Sequence, residues 1–155
     1  YRHGLYGYLV GLLGITDRAE DAMQNLFVRI VRNPASFLQA LEVKAYLYQA
    51  ARNEAMRLMQ SGMAARSEGI AQSGADVLVS KQVGPEQTAA DEEDRLRLQR
   101  ALQTLHVEQY EIVILRCFQQ LSYEEIGRVV GASPKTCHSR YRYAVEKLQK
   151  ELGHE

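Results

Sequence analysis

The sequence predicts an all-α protein made of two small helical domains that a linker joins, with a helix-turn-helix in the second domain. Apolar residues recur at spacings of three and four towards both ends of the chain, which is the pattern of amphipathic helices. A central segment rich in Gly, Ser and Gln breaks this pattern. We therefore predict a first domain at 1–60, a linker at 61–85 and a second domain at 86–155.

Two helices are predicted near the start of the chain. Glycines interrupt the first apolar stripe and predict an irregular helix there. The second helix is expected to be capped by Thr16 or Asp17 and to end at Asn33-Pro34, because the residue before a proline avoids helical backbone angles. Its inward face is predicted to comprise Ala19, Ala22, Met23, Leu26, Phe27 and Ile30. Its outer face carries Asp21, Gln24, Asn25, Val28 and Arg32.

A loop around Phe37 is predicted to lead into a long third helix at 44–60. The inward positions of that helix are Leu47, Ala50, Ala51, Ala55 and Leu58. Tyr46 and Tyr48 are expected to pack with their hydroxyl groups at the rim of the core. The second domain then opens with an acidic helix start at 91–94, and residues 107–121 supply its core.

The helix-turn-helix is predicted from its capping residues. Ser122 is placed to cap a helix, with Glu125 three residues later to complete a capping box. Gly131 can adopt the left-handed backbone that ends this helix, and Ser133-Pro134 begins the next one. A helix-turn-helix places the start of its second helix in the major groove of DNA.

The second helix of this motif separates into two predicted faces. Cys137, Tyr141, Ala144, Val145 and Leu148 are expected to pack inward. Lys135, His138, Ser139 and Arg142 fall on the opposite side, and the start of the helix carries basic residues without an acidic one. This pattern favours DNA binding, although a solvated helix of an unrelated bundle would show a similar one.

Composition limits the classes of function. The net charge is zero, so a local basic face indicates DNA reading that depends on a larger partner for affinity. Cys117 and Cys137 occupy apolar helical positions and are expected to be buried thiols in a reducing cytosol. No apolar run is long enough to span a membrane, and a cytoplasmic protein is expected.

An enzyme is not predicted. The sequence has no Gly-rich phosphate loop, and its four histidines, at 3, 106, 138 and 154, are too scattered to form a metal site with cysteines. We therefore expect neither a catalytic residue nor a metal or other cofactor.

Four motifs occur in an order that resembles the extracytoplasmic-function class of bacterial RNA polymerase sigma factors. They are AEDAMQNLFVRIVR, KAYLYQAARNEA, LRCFQQLSYEEIG and a T-x-x-S-R motif that begins at Thr136. The resemblance spans nearly the whole chain. It implies a region 2 domain, which binds core polymerase and melts the minus-ten element, followed by a region 4 domain, which reads the minus-thirty-five element.

The resemblance also implies roles for individual residues. Core polymerase would be bound by Asp21, Gln24, Asn25 and Val28. Minus-ten DNA would be contacted by Phe37, Asn53 and Arg57. Minus-thirty-five DNA would be contacted by Arg116, Lys135, His138, Ser139, Arg142 and Tyr143.

Two questions stay open at this point. A stand-alone helix-turn-helix regulator, with its first domain used for dimerisation or ligand sensing, is the alternative to a sigma factor. Such a regulator would bind operator DNA alone as a dimer, with half-sites about one helical turn apart. The expected partners of a sigma factor are core RNA polymerase and promoter DNA, and the sequence leaves open whether an anti-sigma factor also binds.

Overall fold

The computed structural model describes residues 2–14, 16–60 and 89–153, and within these residues the fold is helical. The first half contains α1 (Arg2–Leu13), α2 (Thr16–Arg32), α3 (Pro34–Leu38) and α4 (Val43–Gln60). The second half contains α5 (Ala89–Gln103), α6 (Val107–Val113), a π-helical turn (Ile114–Phe118), α7 (Tyr123–Val130) and α8 (Pro134–Gly153). The all-α prediction is confirmed, whereas the predicted linker at 61–85 lies outside the described residues.

The faces of α2 follow the predicted periodicity with one exception. Ala19, Ala22, Met23 and Leu26 are buried, and the polar outer face is exposed. Phe27 was expected to face inward, but its side chain is 44% exposed. The prediction for Phe27 was wrong because the packing of α1 and α4 covers a narrower stripe of α2 than the apolar residues occupy.

Asn33-Pro34 ends α2 as predicted, but the segment that follows is not a loop. Pro34 is the first residue of α3, a short helix that carries Phe37. A proline suits this position because it lacks the backbone N–H that a first helical residue would leave unpaired. Phe37 therefore lies on a helix, and it is only half-buried.

A single apolar core runs through both halves of the described chain. Helix α1 lies at its centre, with most of its residues buried. The glycines of α1 were expected to make it irregular, but they instead allow close packing: a Cβ atom at Gly11 would lie 2.3 Å from Cε1 of Tyr110. Helix α1 is therefore regular, and Gly4 and Gly11 lie close to Gln119 and Tyr110 of the second half.

Two side chains differ from their predicted burial. Tyr48 is fully buried, with no exposed hydroxyl, because α1 packs against its ring with Tyr8 at 5.4 Å between ring centroids. Cys117 is exposed although burial was predicted, and Cys137 is buried as predicted. The π-helical turn explains Cys117, since its wider backbone places Ile114 and Leu115 in the core and rotates Cys117 outward.

Among the described residues, no helix is both long enough and apolar enough to cross a membrane.

Candidate nucleic-acid interface

The turn between α7 and α8 has the predicted capping geometry. The backbone N–H of Glu125 donates to Ser122 Oγ at 3.1 Å, and Glu125 Oε1 accepts from the N–H of Ser122 at 3.3 Å. Gly131 adopts a left-handed conformation with φ of 73°. Its N–H and that of Ala132 donate to the carbonyl of Gly127 at 2.9 and 3.1 Å, so the turn is tightly closed.

Helix α8 begins at the predicted residue and has its own cap. Ser133 Oγ accepts a hydrogen bond from the N–H of Thr136 at 3.1 Å, and Pro134 is the first helical residue. The hydroxyl groups of Ser133 and Thr136 are also hydrogen-bonded at 2.9 Å. The start of α8 is therefore fixed by the side chains of its own first turn.

Five residues of α8 were predicted to contact minus-thirty-five DNA, and we call them the reading face after that prediction: Lys135, His138, Ser139, Arg142 and Tyr143. All are exposed except Ser139, which is half-buried. On the opposite side, Cys137 and Ala144 are buried and Tyr141, Val145 and Leu148 are partly buried, so the two predicted faces of this helix are confirmed. The structure thus brings five of the six predicted minus-thirty-five residues to one exposed surface.

Arg116, the sixth, lies behind the reading face and supports it. Its Nη1 donates to the carbonyl of Leu121 at 2.9 Å, and its guanidinium lies 4.5 Å above the ring of Tyr123. Tyr123 in turn contacts His138 edge-on, with 5.2 Å between the ring centroids. Tyr123 was predicted only as a packing residue, and its link to His138 depends on the contact between α7 and α8, which periodicity does not reveal.

Tyr141 also packs against Tyr123. Its ring lies 6.1 Å from that of Tyr123, and its hydroxyl is 3.5 Å from the sulfur of Cys117. The hydrogen bond with Cys117, together with burial, raises the pKa of Tyr141 to about 12. The phenol therefore stays neutral at physiological pH and adds no negative charge near the reading face.

The residues of α2 that were predicted to bind core polymerase are all exposed, and we call them the docking face after that prediction: Asp21, Gln24, Asn25 and Val28. Phe27 and Val31 adjoin it and are also exposed, the latter by 78%. The surface is therefore more apolar than the sequence predicted. An exposed apolar patch with a polar surround is typical of a protein interaction site.

The predicted minus-ten residues lie on two helices. Asn53 and Arg57 are exposed and lie one turn apart on α4. Phe37, on α3, packs edge-on against Tyr46 with 6.0 Å between ring centroids, so only part of its ring is free. Sequence reasoning did not identify the exposed Leu38 and Leu41, which lie in the same segment.

Arg57 also has an intramolecular partner that was not predicted. Its Nη2 lies 2.5 Å from Oε2 of Glu54, a fully buried residue whose other oxygen lies 2.5 Å from Nη2 of Arg29. Two arginines from α2 and α4 thus share one buried carboxylate. A buried charge is stable only when it is paired, so these arginines also have a structural role.

In the part of the chain that the structure describes, no three His, Cys, Asp or Glu side chains come together as a metal site. The geometry consists of exposed basic, amide and aromatic groups on helices, which suits binding.

Comparison with known proteins finds a family match for each half of the chain. Residues 1–63 match the family described as sigma-70 region 2, and residues 95–148 match sigma-70, region 4. The chain is 30% identical over 152 residues to the RNA polymerase sigma factor CarQ of Myxococcus xanthus, covering 95% of this chain and 82% of CarQ. It is 29% identical to the ECF RNA polymerase sigma factor EcfG of Rhodopseudomonas palustris, covering 93% and 76%. This chain belongs to the extracytoplasmic-function class of sigma factors.

Solved structures agree with this assignment. The sigma factor RpoE of Bartonella quintana, solved in complex with the anti-sigma factor NepR, has a TM-score of 0.68 and 26% identity, covering 97% of this chain and 91% of RpoE. CnrH, solved with the cytosolic domain of CnrY, shares the fold at a TM-score of 0.61 and 18% identity, covering 99% and 81%.

The protein is therefore a sigma factor that acts in transcription initiation. The alternative of a stand-alone regulator is not favoured, because residues 1–63 match region 2 and need no separate dimerisation or ligand-sensing role.

Proposed function

We propose that this sigma factor directs core RNA polymerase to its promoters by means of three separate surfaces. The docking face of α2 binds core polymerase, the exposed parts of α3 and α4 bind the melted minus-ten strand, and the reading face of α8 binds the minus-thirty-five element. We further propose that it works in the cytoplasm and catalyses no reaction itself. The observation that carries the proposal is the exposed basic reading face on a fully capped helix-turn-helix.

The proposed minus-ten interaction follows from the chemistry of α3 and α4. Asn53 offers amide donors and an acceptor to the edge of an unpaired base. Phe37 offers a partly free ring for stacking, which is sequence-tolerant and contributes roughly 1–3 kcal/mol per base. Arg57 adds positive charge for the backbone, while Arg29 keeps Glu54 paired if Arg57 turns towards a phosphate.

The proposed minus-thirty-five interaction follows from the reading face. Arg142 can donate two parallel hydrogen bonds to a guanine edge, and Lys135 and His138 can donate to bases or phosphates. We assign Arg116 a positioning role, since its guanidinium is already engaged with Leu121 and Tyr123. Tyr143 lies beside Arg142, with the guanidinium 5.3 Å above its ring.

We also propose that an anti-sigma factor binds this protein. The Bartonella quintana relative was solved with such a partner, and the similarity covers nearly the whole of both chains. Exposed apolar side chains support the proposal, because they are available to a protein partner; they are Phe27, Val31, Leu38 and Leu41.

Transcription in vitro tests the proposed function as a whole. Core polymerase is mixed with the purified protein and a library of promoter sequences, and the start sites are sequenced. We expect start sites that share two sequence elements at a fixed spacing. Operator binding by the protein alone, without dependence on polymerase, would instead support a stand-alone regulator.

We predict that the double substitution Asp21→Ala/Gln24→Ala weakens binding to core polymerase while the protein stays folded. Both side chains project from the outer face of α2, so the free energy of unfolding should change by no more than about 0.5 kcal/mol. Affinity is measured by titrating labelled protein with core polymerase. Glu93→Ala/Gln149→Ala, which removes an exposed acid and an exposed amide elsewhere, serves as the control. Equal affinity of all three proteins would contradict the docking assignment.

A further inference from the structure

A buried carboxylate lies between two arginines at the junction of α2 and α4. Glu54 of α4 is fully buried, and its Oε2 accepts a hydrogen bond from Nη2 of Arg57 at 2.5 Å. Nη2 of Arg29, in the last turn of α2, lies 2.5 Å from the other carboxylate oxygen, Oε1. We call these three residues the Glu54 site.

The Glu54 site has a net positive charge at the protein surface. One counterion is enough to neutralise a buried carboxylate, yet two guanidiniums flank this one. Arginine stays protonated in proteins, so the second guanidinium leaves one positive charge without compensation inside the site. This charge is accessible from solvent, because the side chains of Arg29 and Arg57 are 47% and 59% exposed.

Either arginine can turn outward while the other keeps Glu54 paired. Loss of both contacts would leave a buried charge alone, which is strongly destabilising, but loss of one would not. Among the described residues, Oε1 of Glu54 has no hydrogen-bond partner, although Nη2 of Arg29 lies close to it. Charge alone therefore holds Arg29 there, and its N–H groups can donate to an external acceptor.

The chemistry and position of the Glu54 site suit a phosphate group. A guanidinium presents parallel N–H donors that match the oxygens of a phosphate. Two guanidiniums on either side of one carboxylate are close enough to reach the same phosphate or two successive ones. Asn53, which is proposed to meet an unpaired base, lies one turn before Arg57 on α4 and is also exposed. A base and its own backbone can thus meet neighbouring side chains.

We propose that the Glu54 site binds a backbone phosphate of the minus-ten strand, with Arg29 and Arg57 as donors and Glu54 as the positioning residue. This inference rests on the proposed binding of the melted minus-ten strand and adds Arg29 to it. The phosphate balances the positive charge that Glu54 leaves uncompensated. DNA is the proposed ligand because the ion pair with Glu54 turns Arg29 towards α4, where the minus-ten residues lie.

Binding of a partly single-stranded DNA to the holoenzyme tests the proposal. The DNA is double-stranded upstream and single-stranded at the minus-ten element, and its sequence comes from the start sites found by transcription in vitro. Arg29→Ala should weaken binding by about fivefold or more, because Arg57 must then stay on Glu54 to neutralise it. The slope of log affinity against log salt concentration should become shallower by about 0.7, the value for one phosphate contact on a single strand.

Glu54→Gln distinguishes a phosphate site from a purely structural ion pair. Combined with Arg29→Ala, it removes the carboxylate that retains Arg57, so the net charge of the site returns to its original value. The double variant should recover most of the affinity and of the salt slope that Arg29→Ala loses. If the double variant folds and binds no better than Arg29→Ala, the proposed charge balance is wrong.

Methylphosphonate linkages identify the phosphate and need no second substitution. Each linkage replaces one anionic oxygen by a methyl group, so that single phosphates of the minus-ten strand are neutralised in turn. One linkage should weaken binding by the parent holoenzyme as much as Arg29→Ala does. The same linkage should have no further effect on Arg29→Ala, since that variant has already lost the contact. Equal losses for the two proteins at every linkage would overturn the phosphate site, whether or not the double variant folds.

Arg100→Ala removes an exposed arginine from α5 and is the matched control. It should alter neither the affinity for DNA nor the salt slope, and circular dichroism confirms that each variant is folded. If Arg29→Ala behaves like this control while the parent binds the DNA, only the phosphate site is disproved.

Two further outcomes are separable. Weaker binding of Arg29→Ala to core polymerase, with unchanged DNA binding, would place Arg29 on the polymerase surface and overturn the phosphate site. If the parent holoenzyme does not bind the minus-ten strand at all, the proposed function itself fails, and the phosphate site fails with it.

Discussion

Gly127→Ala should destabilise the helix-turn-helix and abolish its DNA reading. A Cβ atom at position 127 would lie 2.5 Å from the backbone carbonyl oxygen of Ala132. That oxygen cannot rotate away as a flexible side chain would, because the turn is closed by hydrogen bonds from Gly131 and Ala132 to Gly127 itself. The turn must therefore open. We expect the free energy of unfolding to fall by about 3 kcal/mol, which is near the upper end of the usual cost of inserting extra atoms into a packed site.

Urea unfolding measures this effect, with Gly153→Ala as the matched control. Gly153 lies at the end of α8, and a Cβ atom there would meet nothing within 4 Å. The same substitution should therefore be neutral or should stabilise the protein by up to about 1 kcal/mol, since alanine restricts the unfolded chain. A Gly127→Ala protein within about 0.5 kcal/mol of the parent would show that the turn can adapt, contrary to the geometry.

The capping residues of the helix-turn-helix could be predicted because their interactions are local. Ser122 and Glu125 are three residues apart and bond to each other, so their identities alone indicate the capping box. Gly131 likewise adopts the backbone conformation that its own residue type favours. The docking face and the reading face follow from helical periodicity, which also depends only on neighbouring residues.

The contacts between distant helices could not be predicted in the same way. Glu111 looks like an ordinary helical acid until α1 and α4 bring Tyr8 and Arg52 to it. The glycines of α1 indicated irregularity, and only the neighbouring Tyr110 shows that they make room for close packing. Cys117 was misassigned because periodicity assumes an α-helix, whereas a π-helical turn changes the direction of the side chains.

Local sequence patterns and contacts between distant helices concern different parts of the molecule. The exposure of the helix faces was predicted from local patterns, because an exposed helix face needs no partner within the chain, whereas the roles in binding polymerase and minus-ten DNA came from the family resemblance. The interface between the two halves consists of residues far apart in sequence, such as Arg52 and Glu111.

Arg142→Ala should weaken promoter recognition more than any other single substitution on the reading face. Arg142 is exposed, forms no ion pair with an acidic side chain among the described residues, and lies one turn beyond His138 on the same face. If its guanidinium contacts a guanine edge, its loss costs roughly 1–3 kcal/mol and relaxes the preference at one promoter position. If it contacts a phosphate, binding to all promoter sequences weakens alike, and the slope of log affinity against log salt concentration falls by about one unit.

We expect the contact with the base, and Arg142→Lys tests that expectation. Lysine keeps the charge but lacks the planar pair of donors, so a phosphate contact would survive the change and a guanine contact would not. Transcription by the polymerase holoenzyme is measured on a set of promoters that differ in the minus-thirty-five element. The measurement gives both the overall activity and the preference at each promoter position. Lys150→Ala removes the same charge from an exposed position further along α8 and should change neither the preference nor the activity. Unchanged transcription in both Arg142→Ala and Lys135→Ala/Ser139→Ala would mean that this face does not read DNA, and the assignment of the minus-thirty-five surface would then have to be abandoned.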